Sequence, residues 1–147
     1  MKSALFVSQS IVQFLVGLGA VVCGAMLIVV PTGTLLHLPP DTLKGTPFAN
    51  FLVPGIILFL VIGIGQLVGG LFTIRKHRYS GYLGAVLGFG LMIWIFVQVN
   101  MIGGRDILQY SYFTVGVIET ALSFLIHDQL RAIGLHGASD RARIQSE

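Results

Sequence analysis

The sequence predicts an all-α, membrane-embedded four-helix bundle with both termini cytoplasmic, and three observations predict it. Four long apolar runs cover residues 10–30, 51–74, 82–102 and 107–130. Hydrophobic residues make up 54% of the 147-residue chain and charged residues only 10%, which leaves almost no material for a water-soluble domain. Lys and Arg gather in alternate connections between the runs, the pattern that fixes orientation in a bilayer.

A hydrocarbon core of about 30 Å takes about 20 helical residues at a rise of about 1.5 Å each, and every run is long enough. The runs are continuously apolar, whereas barrel strands alternate over segments of about 10 residues, so helices are expected. The first run, Ser10 to Val30, stops at Pro31. It exceeds the roughly 7–15-residue core of a secretory signal and is expected to remain as a span. It carries the only cysteine, Cys23, which excludes an internal disulfide and reads as a small buried hydrophobe.

The outer connection, residues 31–50, contains Pro39 and Pro40 followed by Asp41 and Thr42, a helix-start pattern. With Leu35, Leu36, Leu38 and Leu43 it is expected to form a short amphipathic cap over the outer mouth. The second run, Phe51 to Ile74, leads into the basic turn Arg75, Lys76, His77, Arg78. The third is Tyr82 to Ile102 and the fourth Ile107 to Leu130. Residues 134–147 are polar, with Arg and Asp in alternation. They hold too little apolar content to fold alone and are expected to form a mobile cytoplasmic tail.

Lys2, Arg75, Lys76, Arg78, Arg131, Arg141 and Arg143 share one side of this arrangement, while Lys44 and Arg105, beside Asp41 and Asp106, hold the other. The basic side is the cytoplasmic side, which suits a multi-pass protein of a bacterial inner membrane. The formal charge of +3 and the isoelectric point near 9.4 follow from this distribution and from attraction to anionic lipid, not from a nucleic-acid surface. Expected partners are the lipid bilayer and other membrane subunits or the protein itself.

Nineteen glycines, most of them inside the spans, indicate close helix contacts, because membrane helices associate through small residues that let backbones approach. Ala20 with Gly24, Gly65 with Gly69, and Gly84 with Gly88 each place two small residues on one face.

Glu119 is the only charged residue well inside a span, about 18 Å along the fourth helix. A carboxylate in hydrocarbon must be neutral, paired or open to a wet cavity, because the ionised form costs at least about 2.5 kcal/mol. Gln109, Tyr112, Gly116, Glu119 and Ser123 form one helical stripe expected to face inward. Gln66, about 22 Å deep in the second helix, is within reach of Glu119. Gln98 and Asn100 lie in the outer quarter of the third span, near Gln109 and Tyr112.

His37, His77, His127 and His136 are dispersed and suggest no haem or metal site. HExxH, CxxC, Walker A and GxSxG patterns are absent. No cofactor and no enzymatic activity are expected.

In TPFANFLVPG, RKHRYSG, WIFVQVNMIGG and LQYSYF the chain resembles small four-span bacterial membrane proteins of unknown function, and its shape is loosely DoxX-like. That resemblance implies no activity or site residues to carry over. Small multidrug transporters share the four-span shape but place their acid in the first helix, unlike Glu119. Two functional readings stand: an accessory, scaffold or self-associating membrane protein, or a small channel or proton-coupled transporter centred on Glu119.

Overall fold

The first apolar run becomes helical about two turns before its greasiest part. Helix α1 covers Lys2–Val29, so Gln9, Ser10 and Gln13 lie on one continuous helix. A computed structural model describes residues 2–39, 41–102 and 107–144. Among them the regular elements are all helical, with no strand. Helix α2 covers Leu52–Ile74, α3 Ser80–Ile102 and α4 Ile107–Ile144.

Three helices are long and apolar enough to cross a membrane: Ser3–Val29, Leu52–Ile74 and Ser80–Asn100. Helix α4 is not among them. Gln109, Ser111, Tyr112, Glu119, Thr120 and Ser123 dilute its hydropathy, although it is the longest of the four. Residues 134–144, expected as mobile tail, continue this helix. Ala132, Ala138 and Ala142, with Arg141 and Arg143, supply enough helix propensity to offset Gly134 and Gly137.

The helices form two hairpins, α1 against α2 and α3 against α4, closed into a bundle by α1–α4 and α2–α3 contacts. Its surface has the reverse polarity of a soluble bundle. Val7, Ile11, Leu15, Leu18, Val22, Met26 and Val29 line one exposed face of α1, whereas Gln9, Ser10 and Gln13 on the opposite face are at most 1% exposed. In water the apolar stripe would be an unusually large hydrophobic patch.

Small residues set the distance between helices. A Cβ at Gly24 would lie 2.7 Å from the backbone nitrogen of Phe59, and one at Gly63 would lie 2.9 Å from that of Val21. Gly55 meets α1 as well, with Leu27 Cβ 2.7 Å from its ideal Cβ. Gly55 and Gly63 are eight residues apart, which in a plain α-helix would turn them about 80° out of line. Residues Leu58–Ile64 adopt a π-helix, whose wider turn absorbs the surplus and aims both glycines at α1. Gly65 and Gly69 face Leu87 of α3, and Gly84 and Gly88 face Ser123 and Thr120 of α4. Ala20 is buried with Val16, Ile62, Leu91 and Ile95 in the apolar core.

The outer connection is pinched at its base, where Phe51 N donates to Pro31 O at 2.9 Å. It contains a 3-10 turn at Thr34–Leu36. Where a helix is expected after the prolines, successive turns follow instead, Lys44 N to Asp41 O and Thr46 N to Leu43 O. Gly45, with φ 82°, breaks any helix there. Pro40, Arg105 and Asp106 lie outside the described residues.

Gly24→Val is expected to destabilise the bundle by about 1–3 kcal/mol through overpacking against Phe59. Gly90→Ala, where an added Cβ meets nothing within 4 Å, is expected to leave it unchanged or slightly stabilised. Thermal unfolding of both variants in mild detergent checks the contrast.

Candidate functional site

Glu119 is held from two other helices. Gln66 Nε2 of α2 donates to Glu119 Oε2 at 2.7 Å, and Gln13 Nε2 of α1 donates to Glu119 Oε1 at 3.2 Å. Helical spacing brings these groups together: Glu119 lies on the same α4 stripe as Gly116 and Ser123, and all three are buried, while Val117, Ile118 and Phe124 point outward. Gln13, Gln66 and Glu119 are each 0% exposed.

The contact extends into a buried polar cluster. Thr73 Oγ1 donates to Gln13 Oε1 at 2.8 Å and lies 2.9 Å from its own Gly69 carbonyl. Gln9 Nε2 donates to Ser123 Oγ at 3.0 Å, and Ser123 Oγ in turn donates to Glu119 O at 2.7 Å. Gly84 makes room for this chain: an added Cβ would strike Ser123 Oγ and lie 2.9 Å from Gln9 Nε2. Buried Thr120 donates back to Gly116 O.

This arrangement favours acceptor oxygens on Glu119, since both neighbouring amides present N–H groups to it. Gln66 Oε1 and Gln9 Oε1 are buried with no hydrogen-bond partner among the described residues. An amide turned over is nearly isosteric, so rotating Gln66 would offer Oε1 to a protonated Glu119 instead. The pair is therefore compatible with either form of the acid. Each hydrogen bond between membrane helices contributes about 0.6–1.7 kcal/mol, and here they tie α1, α2 and α4 to one point.

The remaining polar residues lie elsewhere. Gln98, Gln109 and Tyr112 line an outer cavity of about 440 Å³ between α1, α2, α3 and α4. Asn100 is exposed and donates to Phe96 O of its own helix at 2.7 Å. Val16, Ile62 and Leu91 form the floor of the cavity and belong to the apolar core. Val16 follows Gln13 by one turn, and Ile62 precedes Gln66 by one turn, so this layer separates the cavity from the Glu119 cluster. Leu36, Leu38, Leu43 and Phe48 of the outer connection roof it. A sealed dry void of that volume would cost on the order of 10 kcal/mol at about 24 cal/mol per Å³, comparable to the whole stability of a small domain.

Gln9 and Gln13 are the members of the cluster that sequence reasoning missed. Their signal is a pair of glutamines four apart with Ser10 between them, which places one polar stripe on α1. The histidines play no part in the cluster. His77 packs against the rings of Phe72 and Tyr79, and His127 against Tyr82. Among the described residues no group of three or more His, Cys, Asp or Glu could hold a metal ion. The side chain of His136 lies outside the described residues.

No protein-family model matches this chain, and neither does any curated protein or solved structure.

Glu119→Gln preserves shape and hydrogen-bonding capacity and is expected to lower stability by less than about 1 kcal/mol. Glu119→Leu strands the Gln13 and Gln66 amides and is expected to cost about 1–3 kcal/mol. Unfolding of the purified variants in mixed micelles measures the difference.

Proposed function

We propose that this chain is a non-enzymatic integral membrane protein of four spans, with both termini and the Arg75–Arg78 turn on the cytoplasmic side of a bacterial inner membrane. It acts as an accessory or scaffold subunit, in association with other membrane subunits or with itself. The bilayer placement is supported by the exposed apolar face of α1 opposite a buried polar one, the reverse of what water selects. The fourth span is supported by the packing of α4 along α3 and by the pairing of its polar stripe inside the bundle.

The observation that carries the structural role is the state of Glu119. Its side chain is fully buried, both carboxylate oxygens receive amide donors, and an apolar layer closes it from the outer cavity. Such a clasp joins helices without exchanging anything with the outside. A scaffold role draws further support from the length of α4. Its 38 residues reach about 57 Å, well beyond a core of about 30 Å, and Ile133 near the end of the packed part is 54% exposed.

A second reading, a proton-coupled carrier centred on Glu119, is favoured by one observation. The hydrogen bonds from Glu119 through Gln13 to Thr73 run toward the basic turn at Arg75. Reconstitution separates the two. Glu119→Gln is expected to assemble and co-purify with the same subunits as wild type, with no difference in proton or solute flux between the two in liposomes. A flux present in wild type and lost in an intact Glu119→Gln protein would establish the carrier.

Orientation is tested with single cysteines in a Cys23→Ser background. Lys76→Cys and Ile133→Cys are expected to react with a membrane-impermeant thiol reagent only after cells are opened, and Thr42→Cys in intact spheroplasts. Opposite accessibility of positions 76 and 133 would refute the four-span topology.

A further inference from the structure

We propose that the outer cavity is a binding site for a single acyl chain of a membrane lipid. This inference rests on the bilayer placement proposed above. Protein interiors rarely hold voids larger than a water molecule, and α1 and α2 press backbone to backbone at Gly24 and Gly63. Beside that close contact lies a space of about 440 Å³, within the size range of ligand pockets at about 300–1,000 Å³.

The wall chemistry selects the occupant. The cavity is bounded mainly by aliphatic and aromatic groups, and with Gln98, Gln109 and Tyr112 gathered toward one end, most of its wall lacks the two to four polar partners that an ordered water needs. Its lining on α1 runs from Val16 to Leu27, about 16 Å along the helix axis. That volume spread over that length makes a long, narrow space parallel to the helices, the direction in which lipid chains lie. The polar residues Gln98, Gln109 and Tyr112 stand nearer the outer ends of α3 and α4 than the apolar floor does. A lipid entering chain-first would leave its ester and headgroup at their level. Gly19 and Cys23 keep the space open: a Cβ at Gly19 meets only the Tyr112 hydroxyl, at 3.2 Å.

Trp94 is the sole tryptophan and lines the cavity, so it reports occupancy. The full-length protein in detergent micelles is titrated with phosphatidylcholine brominated in mid-chain, a quencher of tryptophan emission. Wild type is expected to show a saturable quenching phase at about one lipid per protein, above the gradual quenching by lipid around the bundle. Cys23→Phe and Gly19→Leu, which fill the cavity from α1, are expected to lose the saturable phase while unfolding at the same or a higher temperature. Unbrominated phosphatidylcholine is expected to reverse the saturable phase.

Persistence of the saturable phase in both filled variants, or its absence in wild type that remains in micelles, overturns the assignment. Displacement by a polyprenyl quinone but not by unbrominated phosphatidylcholine also overturns it, in favour of an isoprenoid chain. Recovery of wild type as a monodisperse protein without detergent would instead refute the bilayer placement itself, so the two failures are distinguishable.

Discussion

The carboxylate of Glu119, fully buried at the centre of the bundle, is answered by amides from two other helices, and that requirement organises the structure. In an apolar surrounding no solvent is at hand to complete a hydrogen bond, so a carboxylate on one helix determines what stands opposite on the others. Glu119 draws Gln13 from α1 and Gln66 from α2, Gln13 holds Thr73, and Ser123 receives Gln9. Apolar packing alone is indifferent to rotation of one membrane helix against another. These contacts remove that indifference, since turning α1 by half a turn would carry Gln9 and Gln13 to its exposed apolar face and strand their partners.

Close approach is the second condition, because a polar clasp works only when helix axes are near enough for short side chains to meet. The absence of side chains at Gly84 and Gly69 gives Ser123, Gln9 and Gln13 their space, while Gly24 and Gly63 let α1 and α2 touch backbone to backbone. Small residues and polar residues therefore serve one purpose in this chain. The inner half is dense and hydrogen-bonded, and the outer half is loosely filled and apolar, with Val16, Ile62 and Leu91 marking the change.

The helical class was legible because a run such as Phe51 to Ile74 is too long and too uniformly apolar for any strand. The depth of Gln66 and Glu119 along their helices was legible too, since a rise per residue converts position into height. What the pattern concealed follows from reading hydropathy as a boundary. Gln9 lies just outside the apolar run and Gln13 within it, so the polar stripe of α1 emerges only when the helix is carried past the edge of the run. The helix nevertheless begins at Lys2, because a helix does not end where its residues turn polar. The same reasoning truncated α4, which runs on to Ile144. In the outer connection, the prolines and Asp41 suggested a helix start, but Gly45 and the return to Phe51 left too short a segment to propagate one. The π-helix at Leu58–Ile64 had no sequence mark apart from the odd spacing of Gly55 and Gly63.

That widened turn has a wider meaning for how α2 can change over time. It sits between the outer part of α2, which borders the cavity, and the inner part, which carries Gln66 and Thr73. Removing one residue from that stretch would turn everything beyond it by about 80–100°, carrying Gln66 away from Glu119 while Gly55 stayed seated on α1. The residue count of this single segment is therefore a quantity that the chain is not free to change.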